Sequence, residues 1–166
     1  NASTDPTDAL SFPAIPDSIA VNFMDGGSET IGSAETAGAG ALAQDNWNNV
    51  SGANGTIAGG SMTDSNGTTL AAGFDVTWAS DNTWYFGSVP TTADEKLTEG
   101  YLDDNFTNGP IVTVTDVPYS GFDVVVFLSS SQAVGNFGPI YLTDSSDTII
   151  TTQVQGGQTK SEEHTS

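Results

Sequence analysis

The chain has 166 residues, room for one domain with an appendage at each end. Its 21 acidic residues face only two lysines, Lys96 and Lys160, and no arginine, giving a formal net charge of −19. That balance excludes nucleic-acid binding and attraction to anionic lipid, both of which need Lys or Arg, and it supplies no bidentate guanidinium for a carboxylate, sulfate or phosphate. Neutral ligands, cationic ligands, divalent metals and simple solubility in a salty medium all remain compatible with it.

Cysteine is absent, which removes disulfides, thiol catalysis and thiolate metal sites. A cysteine-free extracellular chain fits a bacterial source better than a eukaryotic one. No run of apolar residues is long enough to span a membrane, so no membrane insertion is expected. The opening Asn1-Ala-Ser-Thr-Asp5 lacks an initiator Met, which fits either a mature chain after leader removal or a trimmed sequence. Ser, Thr, Asn and Gly dominate the polar positions, a mixture that favours strands and turns over helices.

In chain order, residues 1–17 read as an extended lead-in punctuated by Pro6, Pro13 and Pro16, with Leu10, Phe12 and Ile15 as its apolar teeth. Residues 18–24 alternate and predict a first strand. The Gly/Ala/Ser/Thr stretch 25–43 has only weak helical spacing, undercut by Gly38 and Gly40. In 73–79, Phe74, Val76 and Trp78 share one face and Asp75 and Thr77 the other, a half-buried strand. Residues 83–87 predict an aromatic strand, and 111–116 an alternating one that ends at Pro118 and Ser120-Gly121. The run 122–128 is the most apolar and is expected to be a central strand. Residues 139–143 and 148–154 predict a hairpin around Asp144-Ser-Ser-Asp147, and residues 157–166 a polar tail. The expectation is an all-β chain: an antiparallel, jelly-roll-like β-sandwich of seven to nine short strands over residues 18–156.

Four motifs occur in order: Asp45-Asn-Trp-Asn-Asn-Val-Ser-Gly-Ala-Asn-Gly-Thr56, Val76-Thr-Trp-Ala-Ser-Asp-Asn-Thr-Trp84, Leu97-Thr-Glu-Gly-Tyr-Leu-Asp103, and the segment from Val112 to Phe127. With the opening strand Ile19-Ala-Val-Asn-Phe23, they resemble a secreted, galactose-binding-like jelly-roll domain common in large extracellular proteins of planctomycetes and verrucomicrobia. The resemblance covers about residues 18–143. It implies export and a β-sandwich and does not imply an activity. Domains of that type continue with further strands beyond the position of Tyr141, whereas here only 148–154 remains as a candidate. A sandwich short of strands exposes an unpaired edge that a strand from a neighbour would complete.

Catalysis is not expected. The single histidine, His164, falls in the polar tail, and no Gly-Gly pair carries the Lys-Ser/Thr of a phosphate loop. For binding, Trp47 with Asn46, Asn48 and Asn49 forms a candidate sugar site, with a plug at the end of the sandwich as the competing reading. Trp84 and Tyr85 are neighbours on a strand, so one of them should face outward. Asp25 and Glu29, Asp103 and Asp104, and Asp144 and Asp147, together with the Asp64-Ser-Asn66 loop, offer hard oxygen donors for a structural Ca²⁺. Ordinary Asx turns explain the same residues. Two functions follow as expectations. One is a structural or adhesive subunit of a secreted or cell-surface filament, in which Leu10, Phe12 and Ile15 dock on the open edge of another copy. The other is a carbohydrate-binding module for neutral polysaccharide.

Overall fold

A computed structural model describes residues 18–103, 109–129, 140–153 and 160–165. The all-β expectation holds: the described residues contain eleven strands, one short α-helix and two 3-10 turns. The chain divides into two compact units, Asn1–Asp116 and Val117–Ser166.

In the first unit, β1 (Val21–Met24) pairs in parallel with β2 (Asn48–Ser51), so that Asn22 lies beside Asn49 and Phe23 beside Val50. A three-stranded antiparallel sheet has the order β3 (Asn54–Ala58), β4 (Asp75–Ala79), β7 (Ile111–Thr115). Its register aligns Gly55, Trp78 and Val112 in one row and Ile57, Val76 and Val114 in the next. This is the apolar face read from the alternation of 73–79, and it buries Val76 and Trp78. Gly55 is needed beside the indole, since a Cβ there would lie 2.3 Å from Trp78 Cζ2. Trp78 meets Phe23 edge to face at 5.8 Å and donates from Nε1 to the carbonyl of Gly52 at 2.8 Å. Met24, Ile31, Trp47, Val50, Met62 and Phe74 are also buried in this unit.

A two-stranded antiparallel ribbon of β5 (Asn82–Tyr85) and β6 (Gly100–Asp103) completes the unit. Helix α1 (Ala93–Glu99) leads into β6. The composition argued against helices, yet Thr92 accepts from the amide of Glu95 while the Glu95 carboxylate accepts from the amide of Thr92. This capping box satisfies two amide donors at the start of the helix, and the Thr-x-x-Glu spacing was its sequence signal. Lys96 follows on the helix and binds both carboxylate oxygens of Glu35, at 2.7 and 2.6 Å.

In the second unit, the predicted hairpin is present as β9 (Ile140–Thr143) and β10 (Ile149–Gln153). Its turn is held by Asp144 Oδ1, which accepts from the amides of Ser146 and Thr148. The apolar run forms β8 (Val124–Ser129), which pairs antiparallel with β11 (Lys160–Thr165). Two expectations change here. Lys160–Thr165 is a strand and not a tail, because ladder hydrogen bonds come from the backbone and accept a polar segment as readily as an apolar one. β8, expected to be central, has β11 as its one strand partner among the described residues.

Candidate functional site

The sequence pointed first to Trp47 and the asparagines around it. In the fold Trp47 is 7% exposed, and its Nε1 donates to the carbonyls of Ala37 and Gln44. Asn48 Nδ2 donates to the carbonyls of Ala20 and Thr63, and its Oδ1 accepts from the amide of Thr63. Asn49 Oδ1 accepts from Asn22 Nδ2 and the Ile31 amide, while its Nδ2 donates to the carbonyls of Ile31 and Trp47. Asn46 Nδ2 donates to the carbonyl of Ser65. These amides tie loops to β1 and β2, and the indole is inside.

The acidic candidates are also dispersed. Asp25 Oδ1 accepts from Thr83 Oγ1. Glu29 is 1% exposed, and its Oε2 has no hydrogen-bond partner. Asp64 Oδ1 accepts from the amides of Asn66 and Thr68, repeating the turn geometry of Asp144. Asp147 adopts φ 60° within its own turn. Asp103 ends β6, and Asp104 lies outside the described residues. Among the described residues no three His, Asp or Glu side chains gather as a metal site would require. Leu10, Phe12 and Ile15 likewise lie outside the described residues.

Within the first unit, the exposed aromatic surface lies on the β5–β6 ribbon. Trp84 is 52% exposed, whereas Trp47 and Trp78 are 7% and 5% exposed. Its directly opposed partner on β6 is Tyr101, and the next pair on the same face is Asn82 with Asp103. Phe86 follows Trp84 by two residues and packs its ring 5.5 Å from that of Tyr101. The opposite face of the ribbon meets β1: Thr83 hydrogen-bonds Asp25, and a Cβ on Gly100 would lie 3.0 Å from the Asp25 amide. One face is therefore anchored and the other presents Asn82, Trp84, Tyr101 and Asp103 together. Burial, and to a lesser degree the nearby Asp103 carboxylate, push the Tyr101 phenol above its ordinary value. The Asp103 backbone is fixed by Ser80 Oγ, which donates to its carbonyl.

Tyr85 is exposed as well, pointing to the other side of the strand from Trp84. Tyr101 and Asn82 were not singled out from sequence. The signal that would have found them is the Thr-Trp-Tyr-Phe run paired with Gly-Tyr-Leu-Asp, but the register joining the two is a tertiary fact.

Comparisons with protein-family models, curated proteins and solved structures return no match for this chain. Among the described residues no helix is long and apolar enough to cross a membrane.

Proposed function

We propose that this protein is a secreted, non-catalytic jelly-roll module of a bacterial cell surface that binds neutral polysaccharide on the outer face of the β5–β6 ribbon. The half-exposed Trp84, paired across the ribbon with Tyr101 and flanked by Asn82 and Asp103, carries this reading. Aromatic faces stack on the apolar faces of pyranose rings, and the Asn amide and Asp carboxylate suit sugar hydroxyls. The resemblance of residues 18–143 to galactose-binding-like domains supports export and a β-sandwich for this module. Covering roughly 50 Å² of sugar face at about 25 cal/mol per Å² contributes about 1 kcal/mol per stacked ring. Two rings and two hydrogen bonds then give an affinity of about millimolar for an oligosaccharide. Titration with cellotetraose and mannotetraose, followed by Trp fluorescence and calorimetry, tests this. Binding weakened by Trp84→Ala supports it, and a glycan array with no hits refutes it.

A second reading, assembly by strand addition, is favoured by strand β7. Its only strand partner among the described residues is β4, and Ile111, Val112 and Val114 are exposed along it. The occupant of that edge would be the lead-in of a second copy, with Leu10, Phe12 and Ile15 as its apolar anchors. Deleting residues 1–16 should yield a folded monomer that no longer assembles; a truncated chain that still polymerises excludes this mode.

A further inference from the structure

We infer that the ribbon discriminates by charge and prefers a cationic, glucosamine-type polysaccharide over its neutral and N-acetylated counterparts; this rests on the polysaccharide reading of the same face. Asp103 supplies the charge on this face. Its carboxylate shares the outer face with Trp84, Tyr101 and Asn82, and it lies close enough to Tyr101 to oppose ionisation of the phenol. The structure gives that carboxylate no hydrogen bond or ion pair among the described residues, while its backbone is held by Ser80. Asp81, exposed in the turn entering β5, places a second carboxylate at the same end of the ribbon.

Among the described residues of the first unit no free side-chain cation competes for these groups. Lys96 is that unit's single Lys or Arg, and Glu35 holds it through both carboxylate oxygens. The face is thus aromatic at Trp84 and Tyr101 and anionic one row further along. Two residues along a strand cover about 7 Å, the scale of one pyranose ring and its linkage. A sugar stacked on Trp84 therefore brings a C2 substituent, its own or its neighbour's, within reach of Asp103. A hydroxyl there donates a hydrogen bond to the carboxylate, and an ammonium donates one while adding its own positive charge. An N-acetyl group supplies no charge, and a uronate is repelled by a chain of net charge −19.

The test uses the full chain and short, defined probes: glucosamine tetramer, N-acetylglucosamine tetramer, cellotetraose and tetragalacturonate. Calorimetry is run in mildly acidic buffer, where the amines are protonated. The glucosamine tetramer should bind about tenfold tighter than cellotetraose, the gain when the donor to Asp103 carries its own positive charge. High salt should erase that difference by screening. Asp103→Asn, which keeps an oxygen acceptor but removes the charge, should remove most of the preference for the glucosamine tetramer and weaken cellotetraose far less. Trp84→Ala, which preserves every charge, should weaken both. If wild type binds cellotetraose and glucosamine tetramer equally, the charge inference fails and the polysaccharide reading stands. If Trp84→Ala binds glucosamine tetramer as well as wild type, attraction to a polyacid explains the binding and the inference is overturned. Failure to bind any probe overturns both.

Discussion

Replacing Gly55 with alanine tests whether the register of β3 against β4 is set by the indole of Trp78. The new Cβ would lie 2.3, 2.7 and 3.0 Å from Cζ2, Cη2 and Cε2 of that ring, too close for any side chain to keep. The ring cannot move freely, because Phe23 meets it on one side and its Nε1 is bonded to Gly52. Overpacking of this kind costs about 1–3 kcal/mol, and loss of the indole hydrogen bond adds about 1 kcal/mol. The sum, about 2–4 kcal/mol, is a large part of the roughly 5–15 kcal/mol that holds a typical domain. All three tryptophans lie in the first unit, so selectively excited tryptophan fluorescence reports that unit alone. With an m-value of about 2 kcal/mol per M, the urea midpoint should fall by about 1–2 M. Gly60→Ala is the control: nothing lies within 4 Å of its Cβ position, and its midpoint should stay close to wild type. A Gly55→Ala midpoint within about 0.2 M of wild type would refute the packing argument, since that corresponds to under about 0.5 kcal/mol.

Asn49→Ala removes four hydrogen bonds and leaves the amide and carbonyl of Ile31 without their side-chain partner. Its cost should be about 2–4 kcal/mol in the same urea assay, and well above that of an exposed Thr56→Ala. Spectrophotometric titration should find one tyrosine ionising above the ordinary range, and Asp103→Asn should lower it only in part, because burial is the larger cause. The raised value means that Tyr101 stabilises the fold fully below its unfolded pKa and loses that contribution as pH rises towards the folded value. Glu95 is held below the usual carboxylate range by the backbone and hydroxyl of Thr91 and the amide of Thr92, and Glu35 by Lys96 and the Gly32 amide. Folding lowers both values, so their help to α1 is complete above the ordinary carboxylate range and disappears as pH falls through the folded-state values. NMR titration of the two carboxyl carbons should locate that loss below the usual Glu midpoint.

Much of the strand inventory was legible in the sequence from alternation bounded by turn signals. Residues 73–79, 111–116 and the hairpin around Asp144 formed as read. Helix α1 escaped because composition averages over a chain, while its capping box is a local device of four residues, Thr92 to Glu95. β11 escaped because Lys160–Thr165 has no apolar periodicity, and its pairing with β8 depends on backbone groups that every residue carries.

The candidate site divides along the same line. Sequence alone determined the sign of the field, since 21 acids against two lysines leave the chain strongly negative wherever it folds. It also required that Trp84 and Tyr85 point to opposite sides, since that follows from the pleat. Which tryptophan meets solvent was decided by the tertiary structure. Trp47 and Trp84 both sit among Asn, Asp and Thr, but Trp47 is closed over by the carbonyls of Ala37 and Gln44, whereas Trp84 lies on the ribbon face turned away from β1. The partnership of Trp84 with Tyr101 and of Asn82 with Asp103 joins residues 17 to 21 positions apart through a strand register. Register is fixed by burying one face of the ribbon, Gly100 against Asp25, and that contact exists only once the chain is folded.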